Sequence, residues 1–420
     1  MAFSDTKPHY ALLDGLRGVA ALLVVWHHVF EGYQFAGNRP YIEFMNHGYL
    51  AVDFFFILSG FVIGYAYDDR WGKRLTLGNF FKRRLIRLHP MVIMGALIGF
   101  LAFAATGFER WDGTNASLAA SLLALLAAML MIPALPGMTR EVRGNGEMFP
   151  LNGPCWSLFF EYIGNVVYAF LLRFLPTRAL GCLAAALCCA LGWFAIADPS
   201  GYGCLGVGWT ADTMNILGGM LRLLCPFTVG MFLSRVFSTP PLPFRGGRER
   251  LRCTLLSGIS LARARLGDTR LLRGGAWVRG AFWWCMLVLV LLFHVPYIKS
   301  QGAVCWNGVF EAVCIIGIFP LLVWTAAKAP ATDRLSTRVC KFLGDLSFPL
   351  YIVHYPLMYV FYLWLMKTEQ YTFAETWPVA LLVCVASVAL AWVALRFFDI
   401  PVRQGLSKMF VNKGNANRMQ

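Results

Sequence analysis

Hydrophobic positions fall in long runs separated by short polar or basic stretches. The runs lie near residues 11–31, 48–67, 90–107, 117–133, 154–175, 178–197, 215–236, 281–298, 303–327, 345–366 and 376–397. About 20 apolar residues in a helix cross the hydrocarbon core of a bilayer. A helix can do so because it satisfies its own backbone hydrogen bonds. Each run is therefore a candidate membrane helix, and the pattern predicts an all-α polytopic bundle.

Loop charge predicts the orientation of these helices. The stretch 68–89 carries Arg70, Lys73, Arg74, Lys82, Arg83, Arg84 and Arg87. Residues 236–280, 328–344 and the tail after Arg396 are basic as well, whereas 198–213 holds only the acids Asp198 and Asp212. Under the positive-inside bias the basic stretches face the cytoplasm. The assignments agree only if 90–133 crosses an odd number of times. One of the runs 90–107 and 117–133 is thus expected to be re-entrant or surface-lying. About ten full crossings follow, with both termini cytoplasmic. Asp14 and Arg17 interrupt the first run, so it is expected to be retained rather than cleaved. Residues 1–410 read as one membrane domain with an insertion at 240–280 and a tail at 411–420. The insertion is unusual: Phe244 to Gly280 holds nine arginines, no lysine and two acids. An amphipathic segment on anionic lipid would suit it.

Composition agrees with this picture. The 420 residues are 58% hydrophobic and 14% charged, with a mean hydropathy of +0.59; soluble domains carry about 25% charged residues. The net charge of +15 reads as loop charge facing an anionic membrane surface, and no nucleic-acid partner is expected. The twelve cysteines form no Cys-x-x-Cys pair, and no metal site is expected from their spacing.

Ionisable residues inside apolar runs are costly and mark candidate chemistry. The first run holds Asp14, Arg17, His27 and His28. Arg17 and His28 are eleven residues apart, so they share one helical face about 16 Å apart along the axis. The second run holds Asp53 and Ser59, the fifth Trp156, Ser157 and Glu161, and the tenth His354. Topology predicts that His28, Asp53, Glu161 and His354 surround one cavity open to the outside. A histidine beside a carboxylate in such a cavity makes a general base. Between these runs, Arg84 and Arg87 lie on one side of a helical turn. Paired guanidiniums bind phosphates well, and Arg17 near the same surface can join them.

Five blocks in this chain resemble the acyltransferase-3 family of integral membrane O-acyltransferases. They are Leu13-Asp14-Gly15-Leu16-Arg17-Gly18 with His28 beyond it, Asp53-Phe54-Phe55-Phe56-Ile57-Leu58-Ser59-Gly60-Phe61, Arg84-x-x-Arg87 before Pro90, Trp156-Ser157-Leu158-x-x-Glu161, and Gly344-Asp345-Leu346-Ser347-Phe348-Pro349-Leu350-Tyr351-Ile352-Val353-His354-Tyr355-Pro356. The resemblance implies transfer of an acyl group, expected to be acetyl, from cytoplasmic acyl-coenzyme A to a hydroxyl of an extracytoplasmic glycan or glycolipid. Acyl-coenzyme A would be a co-substrate, with no permanently bound cofactor. It implies His28 and Glu161 as catalytic residues and Arg17, Arg84 and Arg87 as donor-binding ones. Asp14, His27, Asp53, Ser59, Trp156, Ser157 and His354 would support the site or contact the acceptor. The setting would be the inner membrane of a bacterium. The Arg-rich stretch matches nothing in the family's pattern. No hydrolase-like domain follows the last run, so acceptor handling is expected in the membrane unit. The rival readings are a proton-coupled transporter, which the lack of duplicated halves disfavours, and a non-catalytic glycan-binding membrane protein.

Overall fold

The computed structural model describes residues 10–37, 46–72, 75–238, 280–300, 304–329 and 334–412. All eleven apolar runs are helical: α1 Ala11–Ala36, α2 Ala51–Tyr67, α3 Leu77–Ala105, α4 Leu118–Met129, α5 Cys155–Phe170, α6 Thr177–Ala197, α7 Thr213–Ser238, α8 Ala281–Phe293, α9 Trp306–Lys328, α10 Arg334–Thr368 and α11 Phe373–Val411. Among the described residues nine helices are long and apolar enough to cross a membrane. The protein is an all-α polytopic membrane bundle.

Two runs fall short. α4 has 12 residues and rises about 18 Å, against a hydrocarbon core of about 30 Å. It is thus the incomplete partner in the pair 90–133, because α3 runs unbroken from the basic stretch through Pro90. α8 has 13 residues, so the expectation of a full crossing at 281–298 gives way to a short helix. The Arg-rich insertion at 240–280 lies outside the described residues, apart from Gly280, as does nearly all of the 411–420 tail.

Packing centres on two helix pairs. α1 lies chiefly against α10, and α2 against α7. Lipid offers no hydrophobic drive between helices, so close backbone approach through small residues supplies the contact. A Cβ on Gly18 would stand 2.3 Å from the Leu343 carbonyl oxygen, and one on Gly60 would stand 2.0 Å from that of Phe227. These glycines let α1 meet α10 and α2 meet α7 backbone to backbone. α1 thereby buries Leu13, Leu16, Ala20, Val24 and Val29 in the main core, which fixes the direction of its polar face.

α10 carries Pro349 and Pro356 without breaking. Pro356 has no N–H for the Ile352 carbonyl. That carbonyl instead accepts from Asn152 Nδ2 at 2.8 Å. Asn152 belongs to the long connection between α4 and α5, which folds over one end of the bundle. The backbone of Met148 in this connection donates to the Trp209 carbonyl at 2.9 Å, and Trp111 donates to the Arg143 carbonyl at 3.2 Å. Three non-helical stretches, 106–117, 130–154 and 198–212, are thus tied together over the His28 end of α1.

Candidate active site

His28 sits in the last third of α1, beside Glu31 one turn on. Its Nδ1 lies 2.6 Å from Glu31 Oε2. A carboxylate only accepts, so His28 donates through Nδ1, and Nε2 remains as the basic nitrogen. Two tyrosines of α10 approach the acid: Tyr355 donates to Glu31 Oε2 at 3.3 Å, and the Tyr362 hydroxyl lies 2.9 Å from the same oxygen and 2.6 Å from the His28 carbonyl, with one proton to share between them. The His28 ring stacks on His354 at 5.3 Å and meets the Tyr355 ring edge-on at 4.7 Å. An oriented imidazole backed by a fixed carboxylate can take a proton from a hydroxyl and stabilise the resulting charge.

This dyad borders a cavity of about 380 Å³. Its walls include His27, Tyr49, Trp156, Trp209, Tyr351 and Tyr359. The capping connections contribute Trp111, Asn145 and Glu147. Glu147 accepts from the Tyr359 hydroxyl and from Asn145 Nδ2. Burial pushes its carboxyl up to about 7.

A second cavity of about 100 Å³ lies next to the first, and Val52 and Tyr351 line both. Arg17, Arg84 and Arg87 line this smaller space, with Ser59, Ser157 and Glu161. Arg17 pairs with Asp14 at 3.0 Å and Arg84 with Glu161 at 2.6 Å. Ser59 donates to the same Glu161 oxygen at 3.0 Å. Arg87 is exposed and forms no salt bridge among the described residues; Arg17, Arg84 and Arg403 add positive charge around it, and Glu161 and Asp399 add negative charge. The wall between the cavities is clasped by Tyr351, whose hydroxyl lies 2.7 Å from Ser157 Oγ.

The structure thus divides the residues expected to share one cavity. The carboxylate on His28 is Glu31, where Glu161 or Asp53 was expected. Glu161 faces the arginines instead, because Arg84 one helix away neutralises it. Asp53 is fully buried in a two-point pair with Arg222, at 3.1 and 2.7 Å. Arg222 also donates to the Val207 and Tyr49 carbonyls, so this pair ties α2 to α7 and the 198–212 connection. His354 is 0% exposed and packs behind His28, with Nδ1 donating to the Leu350 carbonyl at 2.9 Å. His27 lines the larger cavity, and its Nδ1 donates to Asn46 Oδ1 at 3.0 Å. Trp156 lines the same cavity and stands 5.1 Å from the Arg222 guanidinium carbon.

His27, His28 and Glu31 bring their ligand atoms within 4.8 Å of one another, the composition of a metal site. Nδ1 of each histidine is already engaged, with Asn46 and Glu31. A cation there would compete with the bonds that orient His28.

Sequence reasoning passed over Glu31, Arg222 and Glu147. Glu31 was legible, since it follows His28 by one helical turn. Arg222 was legible too, as an arginine inside an apolar run. Glu147 lies in a connection where no periodicity points to a partner.

Nine helices among the described residues long and apolar enough to cross a membrane, an oriented histidine lining a cavity and an arginine cluster beside it define an integral membrane enzyme. The acyltransferase-3 family model, described as an acyltransferase domain, matches residues 10–396, and this chain belongs to that family of enzymes that transfer acyl groups. It is 38% identical over 174 residues to protein 2 in the picA locus of Rhizobium radiobacter, covering 40% of this chain and 84% of that one. It is 24% identical over 400 residues to acyltransferase MdmB of Streptomyces mycarofaciens, covering 91% and 86%. It is 22% identical over 409 residues to the peptidoglycan O-acetyltransferase OatA of Listeria monocytogenes, covering 95% of this chain and 56% of that one. No solved structure matches the chain.

Proposed function

We propose that the protein is an O-acyltransferase that moves an acyl group, acetyl in the simplest case, from cytoplasmic acyl-coenzyme A to a hydroxyl of an extracytoplasmic glycan or glycolipid. The observation that carries this reading is the pair of adjoining cavities, one lined by three arginines and the other by the His28–Glu31 dyad. Arg17, Arg84 and Arg87 suit the phosphates of the donor. Asp14 and Glu161 hold two of the three in position. The pantetheine arm then passes the Tyr351 wall, and the thioester arrives beside His28.

The acceptor hydroxyl occupies the larger cavity. His28 Nε2 takes its proton as the oxygen attacks the thioester carbonyl. The tetrahedral intermediate collapses with cleavage of the carbon–sulfur bond, and the imidazolium returns the proton to the leaving thiolate. Glu31 holds the ring and offsets its charge during the cycle. The polymer named for the Listeria relative supports a cell-surface glycan as acceptor. In this reading both termini and the arginine cavity face the cytoplasm of a bacterium, and the dyad opens toward the other side.

The test is thiol release from acetyl-coenzyme A by the purified protein, with and without glycan acceptors. Wild type releases thiol and labels the acceptor, whereas His28→Ala stays folded in the membrane and does neither. Near-normal acylation by His28→Ala overturns the assignment. Mass spectrometry of surface glycans from cells with and without the protein would name acceptor and acyl group together.

A further inference from the structure

Residues that line the larger cavity carry buried polar atoms whose hydrogen bonds are unmade among the described residues. Gln34 follows Glu31 by three residues and His27 by seven, so all three share one face of α1. Its side chain is 2% exposed and lines the cavity, yet neither its Nε2 nor its Oε1 has a partner among the described residues. Leaving buried donors and acceptors unpaired is costly, and native structures rarely do so without cause. Two more such groups belong to residues that line the same cavity: the indole N–H of Trp111 and Oδ1 of Asn145. Asn145 cannot turn to help itself, because its Nδ2 is held by Glu147 at 2.8 Å.

The unmade set comprises two donors and two acceptors, all uncharged. Hydroxyl groups both donate and accept, so a ring bearing several of them can satisfy these atoms once the side chains turn toward the space they line. Trp111, Trp209 and Tyr359 supply flat apolar faces beside these groups. The charges on the walls are asymmetric. Glu31 and Glu147 are acids, and the one lining guanidinium among the described residues, Arg222, is spent on Asp53. Arg143 lies behind the walls, enclosed by the rings of Phe103, Trp111 and Tyr359. Above about pH 7, where Glu147 is ionised as well as Glu31, a carboxylate brought into this space would meet two acids and no free guanidinium or ammonium, and the His28 imidazole beside it is already bonded to Glu31.

We propose that Gln34, Trp111 and Asn145 form an acceptor subsite that selects an uncharged polyhydroxylated ring over one bearing a carboxylate. Gln34 is its main specificity-determining residue. The proposal rests on the reading that this cavity receives the acceptor, and deepens it.

Binding is measured on the purified full chain without acetyl-coenzyme A, by tryptophan fluorescence. The probes are methyl glucopyranoside and methyl glucuronopyranoside. Wild type should bind the neutral probe at least tenfold more tightly than the uronate. Gln34→Leu should weaken neutral binding about tenfold and raise the acceptor KM similarly, with the KM for acetyl-coenzyme A unchanged. If Gln34→Leu does not fold, Gln34→Glu carries the test: it adds a third acid and should widen the preference against the uronate. Equal binding of both probes by wild type, binding of neither, or unchanged binding by a folded Gln34 variant overturns the subsite. Thiol release from acetyl-coenzyme A is scored separately. Its absence alongside selective sugar binding would strike the catalytic reading and leave the subsite standing.

Discussion

The two adjoining cavities share a wall and differ in how they hold charge. Around the arginine cavity, each fixed cation but Arg87 has a fixed anion: Asp14 for Arg17 and Glu161 for Arg84. That arrangement fixes guanidiniums in space and leaves one exposed for an incoming anion. Around the larger cavity Arg222 is closed off by Asp53, and the pair left to act is an imidazole with a carboxylate, which moves a proton rather than holding a phosphate. Equal polarity therefore serves two ends. Permanently charged groups suit binding, and a group able to change protonation suits chemistry.

Substitutions should separate the two. The largest effect is expected from His28→Ala, a fall in turnover of about a thousandfold, in the range a general base supplies, with the KM for acetyl-coenzyme A unmoved. A residual rate above a tenth of wild type would end the contrast. Glu31→Gln keeps the shape of the dyad but withdraws its charge, and turnover should drop about a hundredfold. If the donor KM moves instead, Glu31 belongs with the arginines. Arg87→Ala should do the reverse, raising the KM for acetyl-coenzyme A about tenfold with little change in turnover, as expected for a lost charge-assisted contact. Steady-state kinetics on the purified protein reads all three.

The smallest effect concerns Glu147. Its carboxyl rises from 4.5 to about 7 in the fold because it is buried. Between those values the folded protein keeps a proton that the unfolded chain has released. Stability is therefore lost as pH rises through that window. Melting in detergent at pH 5 and pH 8 should show a larger drop for wild type than for Glu147→Gln. Equal drops would remove Glu147 from the account.

Much of this contrast was legible before any coordinates. Arg17 and His28 stand in register on a helix, and helical spacing alone places them at opposite ends of one face. The arginine cluster followed from Arg84 and Arg87 one turn apart. Other parts were hidden for physical reasons. The apolar pattern of the first run stops near residue 31 and does not single out Glu31, whereas α1 continues to Ala36 and sets Glu31 one turn beyond His28. Asp53 and Glu161 were expected at His28 because depth in the membrane says nothing about azimuth. Each instead meets an arginine from a neighbouring helix, Arg222 and Arg84. Trp111, Asn145 and Glu147 come from connections whose course is set by tertiary contacts such as Asn152 on the Ile352 carbonyl. The short α8 shows that an apolar run limits where a helix can lie, and not how long it is.

The clasp of Tyr351 on Ser157 carries a further duty. If a donor arm threads past it in each cycle, the same spot must stay watertight when the arm withdraws, or protons would drain through the protein and dissipate the cell's electrochemical gradient. Two side chains meeting at 2.7 Å would then decide whether a transferase also behaves as an ion leak.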